Sequence, residues 1–195
     1  MKKINFNDRY GLTQAVIEGR KTMTRRIVPW DLTEQWIEFV SDAPSVGGVY
    51  VHESEKDFYE RDAPRYEIDE IVAVAQNYSS FYNILDNTRP IPEGAGWNNK
   101  MFVRADLMPH QIRITGIKCE KLQDISEADC LKEGVRVEFA RNGKPMYYYF
   151  DAKRQREVWF DTPREAFASL IDKVSGRGTW ASNPWVVAYE FELVK

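Results

Sequence analysis

Residues 19–26 read GRKTMTRR and bring Arg20, Lys21, Arg25 and Arg26 together, interleaved with Thr22 and Thr24. No acid lies between Glu18 and Asp31. A basic run of this kind is ordinarily a solvated face. Here it follows a glycine that stops a helix and then enters a strand, so its backbone is held. Its cations and hydroxyls together suit hydrogen bonding to a phosphate or a carbonyl. Glu133 is the second residue with chemical potential. It stands at the last turn of a short helix, just ahead of Gly134. A carboxylate there meets the negative end of the macrodipole, at a cost of roughly 0.3–1 kcal/mol. It is therefore either a surface glutamate that tolerates the position or a carboxylate needed in a pocket.

Other chemistries find less support. His52 and His110 stand alone, and Cys119 and Cys130 are too few for a disulfide framework or a zinc knuckle, so no metal is expected. There is no Gly-rich dinucleotide fingerprint and no phosphate-binding loop, so no cofactor is expected. The GRGT stretch at 176–179 reads as a helix stop, with contact to a phosphate as the alternative. The net charge of −3 means that any nucleic-acid contact must use a local patch. No apolar run approaches the ~20 residues that span a bilayer. The opening MKKINFNDRY has no apolar segment of a secretory leader. A reducing cytoplasm is the expected setting.

The elements that must position these residues follow from pattern. NDRYGLTQAVIEG reads as a first helix capped by Asn7 or Asp8, and KTMTRRIV as a strand ended by Pro29. Residues 31–66 are less regular, with a turn cluster at SDAPSVGG and a strand of a small hairpin at GVYVHES. Ile71 to Ala75 is a strand, and NTRPIPEGAGWNNK lies in a long loop. A short strand is expected at Met101 to Arg104 and a longer one from Gln111. DISEADCLKEGV is a short helix capped by Ser126. A hairpin with an Asn-Gly turn fills 135–160. DTPREAFASLIDKVSGRG is a helix with Thr162 as cap and Glu165 completing the box. Its core face is Ala166, Phe167, Leu170, Ile171 and Val174. NPWVVAYEFELV closes the chain as a strand. Helices and strands interleave without a βα rhythm, which points to α+β with a mostly antiparallel sheet or small barrel.

The order GRKTMTRR, YEIDEIVAVAQNY, ITGIKCEKLQDISEADCLKEG and WASNPWVVAYEFEL resembles the ASCH domain family, in its longer bacterial and phage-type members. The likeness runs from about Phe6 to Leu193, and the Gly-Arg-Lys-Thr-x-Thr segment is its most specific part. The resemblance implies a single domain over 1–195 around a PUA-like small β-barrel, with insertions at about 31–66, 77–100 and 135–160. The family often has Gly-Asp where this chain has Ile68-Asp69. The resemblance also implies RNA binding, and for some small members hydrolysis of N4-acetylcytidine and related acylated cytosines. Those amidohydrolases use a lysine, a threonine and a glutamate, which fall segment by segment on Lys21, Thr24 and Glu133.

Chemistry constrains that trio. Thr24 as a nucleophile needs a base to take its proton. Lys21 serves only if neutral, so its ordinary pKa of ~10.4 must fall through burial or neighbouring cations. Glu133, if ionised nearby, opposes that fall, and it suits a proton donor or an orienter of the leaving amine. Positions three apart on an ideal strand face opposite ways, so Lys21 and Thr24 converge only if the chain bends between Gly19 and Thr22. In a binding role, Arg20, Lys21, Arg25 and Arg26 would hold phosphates, and Tyr78, Trp180 or Trp185 would stack a base. The expected partner is RNA or a modified pyrimidine nucleoside. Amide hydrolysis and a protein-interaction module are the alternatives.

Overall fold

The computed structural model of the chain describes residues 1–42, 53–82 and 94–194. Among these, the strands are β1 (Lys3–Ile4), β2 (Met23–Ile27), β3 (Ile71–Val74), β4 (Gln111–Lys121), β5 (Arg136–Phe139), β6 (Pro145–Asp151), β7 (Arg156–Phe160) and β8 (Trp185–Leu193). The helices are α1 (Leu12–Ile17), α2 (Trp30–Asp42), α3 (Glu55–Asp62), α4 (Glu127–Lys132), α5 (Pro163–Val174) and α6 (Thr179–Ser182). The molecule is α+β with two open sheets, ordered β1-β3-β4-β8-β2 and β5-β6-β7. β1 runs parallel to β3, and the other pairs are antiparallel. No helix among the described residues is long and apolar enough to cross a membrane.

β8 lies between β4 and β2, which explains why Val186, Val187, Ala188 and Tyr189 are all buried rather than alternately exposed. β4 carries a register shift between Ile114 and Gly116. Such a bulge lets the ladder continue while the strand turns. α5 has the expected capping box, with Thr162 Oγ1 accepting from Glu165 N and the Glu165 carboxylate accepting from Thr162 N. Its face of Ala166, Phe167, Leu170 and Ile171 is buried, with Val174 at the margin of the core. Cys119 and Cys130 are free and buried, and burial pushes their thiols up to about 11 and about 12.

The expected small PUA-like barrel does not close. The five-stranded sheet has two edges, β1 and β2, and they do not pair. β1 contributes two residues, already paired to β3, which is too little to ladder with a second strand. A side chain spans the gap instead, with Arg26 Nη2 donating to Asn5 O at 2.5 Å. Three smaller expectations also change. The strand at Met101 to Arg104 is replaced by short 3-10 turns, held by Asn99 Oδ1 accepting from Met101 N. Residues 31–66 contain α2 and α3. Leu32 and Trp36, four apart on α2, pack on the core beside buried Phe58 and Tyr59 of α3. The 135–160 hairpin is a three-stranded meander, because the chain turns a second time between Asp151 and Arg156. The GVYVHES strand falls mostly outside the described residues, as does His52.

Candidate functional site

Lys21 is held in a bend rather than in a strand. Gly19 adopts a φ of 71°, and the amides of Arg20 and Lys21 both donate to Ala15 O, each at 2.9 Å. Thr22 N then donates to Lys132 O at 3.0 Å, which stitches this bend to the end of α4. β2 begins only at Met23, so strand parity does not separate Lys21 from Thr24. On the facing side, Glu133 caps α4 and Gly134 follows with a φ of 106°. A side-chain carbon on Gly134 would lie 3.1 Å from Leu12 Cδ2 and 3.6 Å from Lys21 Cδ. Backbone conformation and close approach both require glycine there. These two turns bring residues 112 positions apart into contact.

The Lys21 ammonium has three acceptors, each at 2.7 Å: Met23 O, Glu133 O and Glu133 Oε2. Only the protonated amine can donate to all three. Burial pushes the Lys21 pKa below that of an ordinary lysine; Glu133 opposes the fall, and Arg26 and Arg25 add to it. The other carboxylate oxygen, Glu133 Oε1, accepts from Arg25 Nη1 at 3.1 Å. The Arg25 side chain has no exposure. It also donates to Glu120 Oε1 from Nε at 2.8 Å and from Nη2 at 2.6 Å, and to Asp129 Oδ2 at 3.1 Å. Burial works against its charge, but Glu133 and Glu120 more than offset this and hold the guanidinium above its ordinary value. Lys118 Nζ closes the group, 3.1 Å from Glu120 Oε2 and 3.2 Å from Asp129 Oδ2. Burial works against the Asp129 charge too, but Lys118 and Arg25 keep its carboxyl below the usual range. Lys21, Arg25 and Lys118 thus meet three carboxylates, with Lys132 Nζ a further 3.8 Å from Asp129 Oδ1, and such pairing is the condition under which buried charge is tolerated.

Three members of this network, Lys21, Arg25 and Glu133, reach a cavity of ≈ 280 Å³. Lys21, Thr24 and Glu133 all line it. Phe167, Leu170 and Ile171 of α5 supply an apolar wall, and Phe6 lies with its ring centroid 5.8 Å from Lys21 Nζ. Thr24 is 5% exposed, and its hydroxyl takes no part in the hydrogen bonds around Lys21. A small cavity with mostly apolar walls and a few convergent polar groups has the general make-up of a small-molecule site.

Of the cations expected to meet phosphate, Arg25 is consumed by the network and Arg20 is paired with Glu18 away from the cavity. Arg26 does line it. The three candidate stacking aromatics do not. Tyr78 is buried in a separate cluster, its hydroxyl accepting from Arg104 N at 2.9 Å. Trp180 packs edge-on against Phe167, and Trp185 lies against Tyr59 with Lys121 over its ring. The GRGT loop binds a carboxylate of its own chain: Asp172 accepts from Gly178 N at 3.3 Å and from Trp180 N at 2.8 Å. Sequence reasoning missed Glu120, Asp129, Lys118 and Phe6. Three of them carried a signal. Lys118 and Glu120 are two apart on a strand, hence on one face, and Asp129 and Glu133 are four apart across a helix end.

Among the described residues, no group of three or more His, Cys, Asp and Glu side chains is arranged to hold a metal ion. Comparison with protein-family models, with curated proteins and with solved structures finds no match to this chain.

Proposed function

We propose that the cavity over the Lys21–Glu133 pair binds a cytidine-like pyrimidine nucleoside. The observation that carries this reading is the convergence of an ammonium, a hydroxyl and a carboxylate on one small cavity whose other wall is apolar and aromatic. The segments of the ASCH-like resemblance that hold Lys21 and Glu133 are the two turns stitched together there, which supports the same reading. An extended RNA groove is less well supported, since Arg25 is spent in internal ion pairs and Tyr78, Trp180 and Trp185 lie elsewhere. Titration calorimetry with cytidine and N4-acetylcytidine tests the proposal. Saturable binding that is lost in Thr24→Trp, which fills the cavity, is the expected result. No heat from either nucleoside with folded protein sinks it.

A second reading, amide hydrolysis, is favoured by one observation: the Thr24 hydroxyl shares the cavity with a buried lysine whose proton affinity is reduced. In this reading Lys21 enters as the amine. Thr24 Oγ1 attacks the acyl carbon of an N4-acylcytosine and its proton passes to Lys21 Nζ. The carbon–nitrogen bond breaks, and Nζ returns the proton to the departing N4 amine. Water then hydrolyses the threonyl ester to give the carboxylic acid and free Thr24. Chromatography of cytidine released from N4-acetylcytidine tests this step. Thr24→Ala is expected to lower kcat by at least about 10³-fold, while Thr24→Ser retains turnover. Binding of N4-acetylcytidine without turnover would leave the first reading standing and remove the second.

A further inference from the structure

A second cavity, of ≈ 360 Å³, occupies the seam between the unpaired edges of β1 and β2. Its cationic lining is Lys3, Arg26 and Arg65, and no Asp or Glu among the described residues lines it. It shares Asn5, Arg26 and Ile27 with the cavity over the Lys21–Glu133 pair, so these residues form a common wall.

The three cations lack what the neighbouring network has. Arg26 is largely withdrawn from water, and burial pushes its pKa down. Yet its one hydrogen bond to a described residue goes to the carbonyl of Asn5, and no carboxylate pairs with it among the described residues. Lys3 Nζ likewise donates to two carbonyls, Met101 O at 2.8 Å and Val103 O at 2.7 Å. Arg65 lies over the Tyr66 ring with its guanidinium carbon 5.9 Å from the centroid, and no ion pair involves it among the described residues. A withdrawn cation such as Arg26 is normally paired. A guanidinium with unspent donors also matches the oxygens of a phosphate or carboxylate. Asn5 adds a separate observation. Its Oδ1 is buried and has no donor among the described residues, an unmet acceptor of the kind that a sugar hydroxyl satisfies.

We infer that the seam cavity is an anion subsite that takes the phosphate of a nucleoside monophosphate, with Arg26 and Asn5 at the junction of base and phosphate pockets. This extends the nucleoside reading of the first cavity and rests on it for the identity of the group attached to the phosphate. The phosphate contacts are made by Arg26 and Arg65, with Lys3 adding charge. The subsite has no internal carboxylate to be displaced, so its occupation needs no rearrangement of ion pairs.

The test is titration calorimetry at low ionic strength with cytidine 5′-monophosphate, cytidine and inorganic phosphate, on the full chain and on Arg65→Gln and Arg26→Gln. Arg65 is exposed and outside the core, so its variant keeps the fold even where Arg26→Gln disturbs the seam. The monophosphate is expected to bind about tenfold or more tightly than cytidine, the scale of one charge-assisted contact. That advantage is expected to shrink in Arg65→Gln and with added salt. Equal affinity for cytidine and its monophosphate overturns the anion subsite and leaves the nucleoside reading intact. Arg65-dependent binding of inorganic phosphate without any binding of cytidine supports the subsite and removes the nucleoside reading. Absence of binding by both phosphate and the monophosphate overturns the subsite.

Discussion

Two cavities share a wall and treat charge in opposite ways. Beneath the first, Lys21, Arg25 and Lys118 are matched by Glu133, Glu120 and Asp129, and nearly every donor has an acceptor. Around the second, Lys3, Arg26 and Arg65 face carbonyls and an aromatic ring, with no acid in the lining. The matched network fixes two turns from distant parts of the chain in one geometry. The unmatched set has donors left over. Charge that is internally satisfied positions groups, and charge that is not satisfied is available to something from outside.

The largest test of this contrast is Glu133→Ala. It leaves Lys21 and part of Arg25 buried without their carboxylate, and is expected to lower unfolding free energy by about 3–5 kcal/mol. Urea denaturation measures it. A loss under about 1 kcal/mol would break the claim that pairing holds these turns together. A smaller effect concerns acid. The Asp129 carboxyl sits below its ordinary range in the folded protein, so its contribution is complete above the unfolded value of ~3.9 and disappears as pH falls through the lower folded value. Wild type is therefore expected to lose stability below about pH 4, and Asp129→Asn to show a shallower fall over that range; parallel curves for the two proteins would remove Asp129 from the account. The smallest expected effect sharpens the other half of the comparison. Arg65→Gln is expected to change unfolding free energy by no more than about 0.5 kcal/mol, since no ion pair among the described residues holds it. A larger loss in the melt would mean that Arg65 serves the fold.

Much of this framework was legible in the sequence, and for local reasons. α5 announced itself through Thr162, Pro163 and Glu165, and α4 through Ser126, because caps and first-turn residues act over three or four positions. The bend between Gly19 and Thr22 was expected only on the condition that Lys21 and Thr24 converge, since strand parity would otherwise hold them apart. What escaped notice depends on distance in sequence. Whether β1 meets β2 is decided by how few residues β1 can offer and by Arg26 reaching Asn5, and no periodicity encodes either. The stacking role expected of Trp180 and Trp185 failed to materialise in the cavity because core packing claims the same flat apolar surface. α3 was obscured by its polar composition, and α2 went unread although Leu32 and Trp36 keep helical spacing. The acids Glu120 and Asp129 became meaningful only once Arg25 was seen to point inward, toward them.

Lys21 grips Glu133 by two handles, its main-chain oxygen and its carboxylate. Were that nitrogen to shed a proton, two N–H groups would remain for three acceptors, and one of the contacts to Met23 O, Glu133 O and Glu133 Oε2 would be lost. A change in the protonation of Lys21 would thereby bear on the tail of α4, whose Glu133 stands three residues ahead of the start of β5 at Arg136.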